Sequence, residues 1–153
     1  MFHYKIINKP KDIKADKKIT DHIFSMISEN IRIPQNGTLN IVFLDDDVIK
    51  ELNKQYRNID STTDVLSFHY FDDFSNLKIK EIAGEIILSE IRVRSQSKEY
   101  GNTLEEEFYK LLIHSILHIL GFDHEEDSDF EEMKKEEDII ISDIHEKFGI
   151  RIS

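Results

Sequence analysis

Between Leu111 and Leu120 the chain is apolar on every side of a helix except at Ser115 and at two histidines, His114 and His118. Such a helix has no face to turn to water, so it is expected to run through the middle of the fold with the other elements packed around it. The two histidines are four residues apart, a step that rotates a side chain by about 40° and advances it by about 6 Å, so both imidazoles stand on one face, one turn apart. They can share one metal ion. His124 follows six residues later and on a straight helix would lie roughly 9 Å further along, too far for a metal–nitrogen bond of about 2 Å. The chain must therefore turn back. Gly121 stands where the reversal is needed, because glycine takes the left-handed conformation that ends helices at little steric cost. Three neutral nitrogens with a fourth position left for water make the open, catalytic type of zinc site. A lone histidine on an apolar face is more often a satisfied core residue, and that reading is kept for His3, His22, His69 and His145, which show no such spacing.

The absence of cysteine excludes a disulfide framework and a thiolate metal site, so any bound metal must use nitrogen or oxygen ligands. The length of 153 residues suits one domain over residues 1–153. With 39% hydrophobic and 33% charged residues the composition is that of a soluble globular protein. No apolar run approaches the about 18 residues of a membrane span, and Met1 to Lys5 open onto a lysine-rich segment rather than a signal-peptide core, so a cytoplasmic location with no membrane attachment is expected. The net charge of −11 disfavours nonspecific attachment to a polyanion but leaves room for a local basic groove. Two candidate basic groups are Lys5 to Lys18 and Arg92, Arg94 and Lys98, each also readable as an ordinary solvated face.

Taken in order, Phe2, Tyr4 and Ile6 alternate as a first strand over residues 2–8, and Ile19, Ile23, Met26 and Ile27 recur at helical spacing between Asp16 and Ile31. Thr38 to Leu44 is short, β-branched and apolar, a second strand. Asp45-Asp46-Asp47 supply an N-cap and favourable charge to a second helix whose buried stripe is expected to be Val48, Ile49, Leu52 and Tyr56. A polar loop from Arg57 to Asp64 leads into a third strand at Val65 to Phe68. His69 to Lys80 shows no period and reads as a flexible hairpin connection to a fourth strand, Ile82 to Leu88, in which Gly84 hints at a bulge or a close approach. Ser89 to Tyr100 is helical and stops at Gly101, Thr103 to Glu106 forms a capping box for the helix of His114, and Ser128 to Glu131 forms another for a closing helix that ends at Gly149. The closing stripe is Phe130, Met133, Ile140, Ile141, Ile144 and Phe148. The expected fold is α+β, or mixed α/β: a small mixed four-stranded sheet with helices packed on it and the metal-binding helix buried at the centre.

The spacing His-x-x-x-His-x-x-Gly-x-x-His matches metzincin peptidases, but those enzymes place a general-base glutamate directly after the first histidine, where Ser115 stands here. A serine cannot serve that way at neutral pH. What survives is a zinc-type ion that brings the pKa of its water down to about 7, offering hydroxide near neutrality. Such a site suits phosphodiester hydrolysis if a cation stabilises the phosphoryl oxygens, and Arg57, with its planar bidentate fork, is the candidate.

The motif also resembles another family more fully. His114-Ser115-Ile116-Leu117-His118-Ile119-Leu120-Gly121-Phe122-Asp123-His124, preceded by Leu52-Asn53, Tyr56-Arg57, Thr63-Asp64-Val65-Leu66-Ser67-Phe68 and Gly84-Glu85-Ile86, and followed by Met133 and Glu137, is similar to the YbeY family of bacterial metal-dependent endoribonucleases. The resemblance implies one zinc ion held by His114, His118 and His124, an arginine at Arg57 needed for activity on RNA, and a single-strand type of endoribonuclease acting in small-subunit ribosomal RNA maturation and ribosome quality control. Implied partners are ribosomal RNA precursors and ribosomal particles. The sequence departs from the family pattern at Ser115 for glycine, Phe122 for tyrosine, Glu85 for aspartate, and His69 where the family often has proline. His69 then either reaches the cleft or lines a loop, and Asp123 either orients a ligand histidine or serves the turn. Two other functions stay open: a ribosome-assembly factor whose acidic surface binds basic ribosomal proteins, and a different zinc hydrolase.

Overall fold

The computed structural model describes residues 1–123 and 126–153. In chain order the elements are β1 (His3–Ile7), α1 (Lys17–Asn30), β2 (Thr38–Leu44), α2 (Asp46–Arg57), β3 (Val65–His69), β4 (Ile82–Ser89), α3 (Glu90–Tyr100), α4 (Leu104–Ile119) and α5 (Asp127–Phe148). The four strands make one mixed sheet in the order β1-β2-β4-β3. β1 and β4 both run parallel to β2, and β3 lies antiparallel to β4 at the edge. This is the expected α+β architecture, with every expected strand present.

The inner face of the sheet is covered by helices. Leu39, Ile41 and Phe43 of β2 and Ile86 and Leu88 of β4 share one core with Ile23, Phe24 and Ile27 of α1 and with Phe108, Leu112, Ile113 and Ile116 of α4. α4 is buried along most of its length, as its uniform apolarity requires. The capping box is formed by Thr103 and Glu106, each accepting from the other's backbone N–H at 3.1 and 2.8 Å. On the outer face α2 seals a smaller cluster, Ile49 with Leu66 and Ile87. Among the described residues no helix is long and apolar enough to cross a membrane.

Gly84 is a close approach. A Cβ there would lie 2.3 Å from the Phe68 carbonyl oxygen, inside any permitted contact. The adjoining β2–β4 register skips a residue between Thr38 and Leu39, so a bulge is present as well.

Three expectations need correction. In α2 only Ile49 and Asn53 are buried, while Val48 and Tyr56 are 45% and 63% exposed, because the helix covers one end of the sheet face and not its full width. Asp45 is the N-cap residue and Asp46 and Asp47 put acidic charge in the first turn, as expected; Asp45 makes no side-chain capping bond, and Asp46 accepts from Ser89 and Thr62 at 2.6 and 2.8 Å. The second capping box does not form, since α5 begins at Asp127 with Glu126 as N-cap and Ser128 already inside the helix. Phe130 accordingly sits outside the buried stripe, at 51% exposed. The connection after β3 is a hairpin link, yet it is anchored: Phe74 is buried against Phe2, edge-on at 5.3 Å, and Asn36 donates to the Ser75 carbonyl at 2.8 Å. Within the two candidate basic groups, Arg94 is paired with Asp12 and Glu90, Arg92 with Asp46, and Lys17 with Asp21.

Candidate active site

α2 ends on Arg57, and Asn58 takes the left-handed conformation (φ 59°) that turns the chain out of the helix. The loop that follows folds back along α2. The buried Asn53 amide donates to the Ser61 carbonyl at 2.8 Å, and the Thr62 hydroxyl donates to Asp46 at the far end of the helix. Held this way, Thr63 and Asp64 enter β3 alongside α4. Asp64 Oδ1 accepts from the Val65 N–H at 2.9 Å and from the Thr63 hydroxyl at 3.2 Å.

From the other side comes the C-terminal end of α4. Its last turn closes through two bonds, Phe122 N–H to the Leu117 carbonyl at 3.1 Å and Gly121 N–H to the His118 carbonyl at 3.0 Å, with Gly121 at φ 101°. That double closure needs a left-handed residue, the role expected of Gly121. Its product is specific: the Phe122 carbonyl is brought back against His118, whose Nδ1 lies 3.0 Å away. A carbonyl only accepts, so Nδ1 is the donor of this pair and the ring is held in place by it. His114 Nδ1 is likewise 2.8 Å from Glu137 Oε1 of α5. The two rings are nearly parallel, 4° apart in plane with centroids 6.4 Å apart.

These parts enclose one cavity of about 510 Å³, lined by Arg57, Thr63, Asp64, Val65, Leu66, Ser67, His114, His118 and Asp123. Arg57, His114 and His118 therefore meet, although they come from separate helices. Asp123 joins them from the turn. His124 lies outside the described residues. His69 ends β3, is exposed with Nδ1 3.3 Å from the Phe71 carbonyl, and stands outside the cavity wall. Ser115 is fully buried, its hydroxyl without a hydrogen-bond partner among the described residues, and it too is absent from the wall, so it has no place beside a reacting group. A larger groove, about 720 Å³, runs beside α1 and α5 past Met26, Lys134 and Asp143, but it gathers no pair of imidazoles.

Among the described residues no three potential ligands converge closely enough to hold a metal ion. The two histidines nevertheless have the chemistry of ligands: each Nδ1–H is committed to an oxygen, which fixes the ring and its tautomer as outer partners of metal-bound histidines do. His114 and His118 fit the group by this chemistry, and His124 lies outside the described residues. Sequence reasoning noted Glu137 only as part of a family pattern; its role as the oxygen partner of His114 appears once α5 is laid beside α4. Thr63, Asp64 and Ser67 were read as loop and strand, and only the edge position of β3 turns them toward the site.

A family model described as Endoribonuclease YbeY matches residues 5–145, nearly from β1 to the end of α5. The chain belongs to the YbeY endoribonuclease family. The Endoribonuclease YbeY of Clostridium botulinum (strain Alaska E43 / Type E3) is 34% identical over 157 residues, covering 88% of this chain and 93% of the relative. That of Caldicellulosiruptor saccharolyticus is 36% identical over 148 residues, covering 89% and 93%. The solution structure of TM1509 from Thermotoga maritima superposes with a TM-score of 0.56 at 29% identity, covering 95% of this chain and 93% of that one. The matched span includes Arg57 and all three histidines of the YbeY-like motif.

Proposed function

We propose that this protein is a metal-dependent endoribonuclease that cuts single-stranded segments of ribosomal RNA precursors, in small-subunit maturation and ribosome quality control in the cytoplasm. The observation that supports this reading most is the meeting of Arg57 with His114 and His118 on the wall of one cavity. His114 and His118, with His124, are the residues to hold a zinc ion; the Nδ1 contacts of the first two, to Glu137 and to the Phe122 carbonyl, orient the rings as the outer partners of metal-bound histidines do. Bound there, zinc supplies Lewis acidity toward water and a phosphoryl oxygen. Arg57 has no ion-pair partner among the described residues, so its guanidinium is available to grip two phosphate oxygens and to stabilise the charge that grows on them as the phosphodiester is cleaved. Asp64 and Asp123 bring carboxylates to the same wall, where they repel a phosphate unless cations offset them.

Carefully nuclease-free protein incubated with a single-stranded RNA tests this. Cleavage is expected to fall by at least about a hundredfold in Arg57→Ala, the loss associated with one charge-stabilising group, while about one metal ion per chain is retained. His118→Ala is expected to lose the metal. Unchanged cleavage in Arg57→Ala removes that residue from the mechanism. The net charge of −11 favours a second reading, an assembly factor that binds basic ribosomal proteins. Protein that associates with ribosomal particles but cuts no RNA selects that reading.

A further inference from the structure

α2 shields only one end of the outer face of the sheet. Beyond its contact with Leu66 and Ile87, the register sets Glu85 opposite Phe68 and beside Asn40. Tyr70 N–H bonds the Ala83 carbonyl at 2.9 Å, which carries the strand alternation one step further and puts Leu66, Phe68 and Tyr70 on the same face. Two tyrosines stand out in solvent here, Tyr56 at 63% and Tyr70 at 52% exposed. Scattered surface aromatics are ordinary. These two are grouped and held. Tyr56 packs edge-on against Phe68 with ring centroids 5.5 Å apart. The Tyr70 hydroxyl donates to the Glu85 carboxylate, which also accepts from the Asn40 amide at 3.5 Å. Burial, then Glu85 and the neighbouring Tyr56 hydroxyl, raise the Tyr70 phenol above its ordinary range and keep it neutral.

Charge narrows the choice of ligand. Lys54, Tyr56 and Arg57 are all exposed on the last turn of α2, and neither cation is ion-paired among the described residues, so the turn sets two positive charges beside the Tyr56 ring. Arg57 also lines the cavity, so that turn touches both the candidate active site and the open sheet face. Fixed aromatic rings interleaved with unneutralised cations suit a polyanion that carries flat apolar faces. A duplex hides those faces, whereas an unpaired strand shows them.

We infer that Tyr56 and Tyr70 form a stacking subsite for an unpaired base of an RNA strand whose adjoining phosphate sits at Arg57. The inference rests on the ribonuclease reading and adds to it the place where an unpaired base beside the cut is held.

The test is fluorescence anisotropy with a labelled 2′-O-methyl single strand, which resists cleavage, alongside a cleavage assay on the unmodified strand. Tyr56→Ala and Tyr70→Ala are each expected to weaken binding by on the order of tenfold, with Tyr56→Phe close to wild type because the ring is kept. A single abasic position, moved along the strand, is expected at one place to weaken binding by the wild type but not by Tyr56→Ala. Urea unfolding of each variant checks that the fold is kept. If wild type cuts RNA while the alanine variants bind it unchanged, or the abasic loss is the same in both proteins, the subsite is wrong and the nuclease reading stands. If the alanine variants bind RNA normally but lose basic ribosomal proteins, the face serves a protein partner and the inference falls. If wild type neither binds nor cuts the strand, both readings fall.

Discussion

Two histidine–carboxylate pairs join α5 to the rest of the molecule, and they differ in which ring nitrogen is used. At one end His22 of α1 meets Asp143 through Nε2, with its ring edge-on to Phe148 at 5.3 Å. At the other, His114 of α4 meets Glu137 through Nδ1. The first pair commits the outer nitrogen to a neighbouring helix and so acts as a strut between α1 and α5. The second uses the inner nitrogen of a ring that stands on the wall of the cavity. On the proposed reading the same two residue types build a fastening in one place and orient a metal ligand in the other, and the attachment atom separates them.

The largest effect expected to separate the pairs is on metal content and activity. His114→Ala should reduce metal measured by elemental analysis well below one ion per chain and lower RNA cleavage by at least about a hundredfold, whereas His22→Ala should leave both near wild type. Metal loss in His22→Ala breaks the comparison. Next in size, Glu137→Ala should weaken metal binding by about 10–100-fold in a chelator competition, with Asp143→Ala unchanged. Equal affinities in these two variants make Glu137 another strut. Smaller again, His22→Ala and Asp143→Ala should each lower unfolding stability in urea by about 1 kcal/mol, since the pair is only partly shielded, at 17% and 33% side-chain exposure.

The smallest effect concerns Glu107, a carboxylate buried by α4 with an amide for company instead of an imidazole. Its Oε1 accepts from Asn102 at 3.3 Å, and its Oε2 has no partner among the described residues. Burial raises its pKa above the ordinary glutamate range, against the pull of Lys110 and Asn102. The ionised form is therefore disfavoured in the folded state, so the penalty is absent in acid and grows as pH rises through the folded pKa. Glu107→Gln should match wild type in melting temperature near pH 3.5 and gain on it by pH 8. A constant difference across that range removes ionisation as the cause.

Much of this arrangement was legible in the sequence, for reasons local to particular residues. Thr38 to Leu44 announced a strand because β-branched and apolar residues filled a short run, and Gly121 announced a turn because the histidine spacing demanded one. Gly84 was readable because a side-chain-free residue inside a strand implies a neighbour that is too close. What was hidden depends on distant parts of the chain. Nothing local to β4 says that it inserts between β2 and β3, and without that order β3 has no reason to be the edge that lines the site. Tyr56 sits at core spacing in α2, yet its exposure follows from how far that helix reaches across the sheet. Ser128 has the form of a cap, and the helix begins one residue earlier.

The strand order also has a consequence for folding. The parallel neighbours of β2 are both reached by long connections, and β3 can find its place only after β4 has docked. The cavity then waits for α4, and the oxygen partner of His114 waits for α5. Contacts between such distant segments close slowly, so the cavity wall is complete only after α4 has packed on β3 and α5 has brought Glu137 to His114. The candidate site is therefore among the last features of the fold to form.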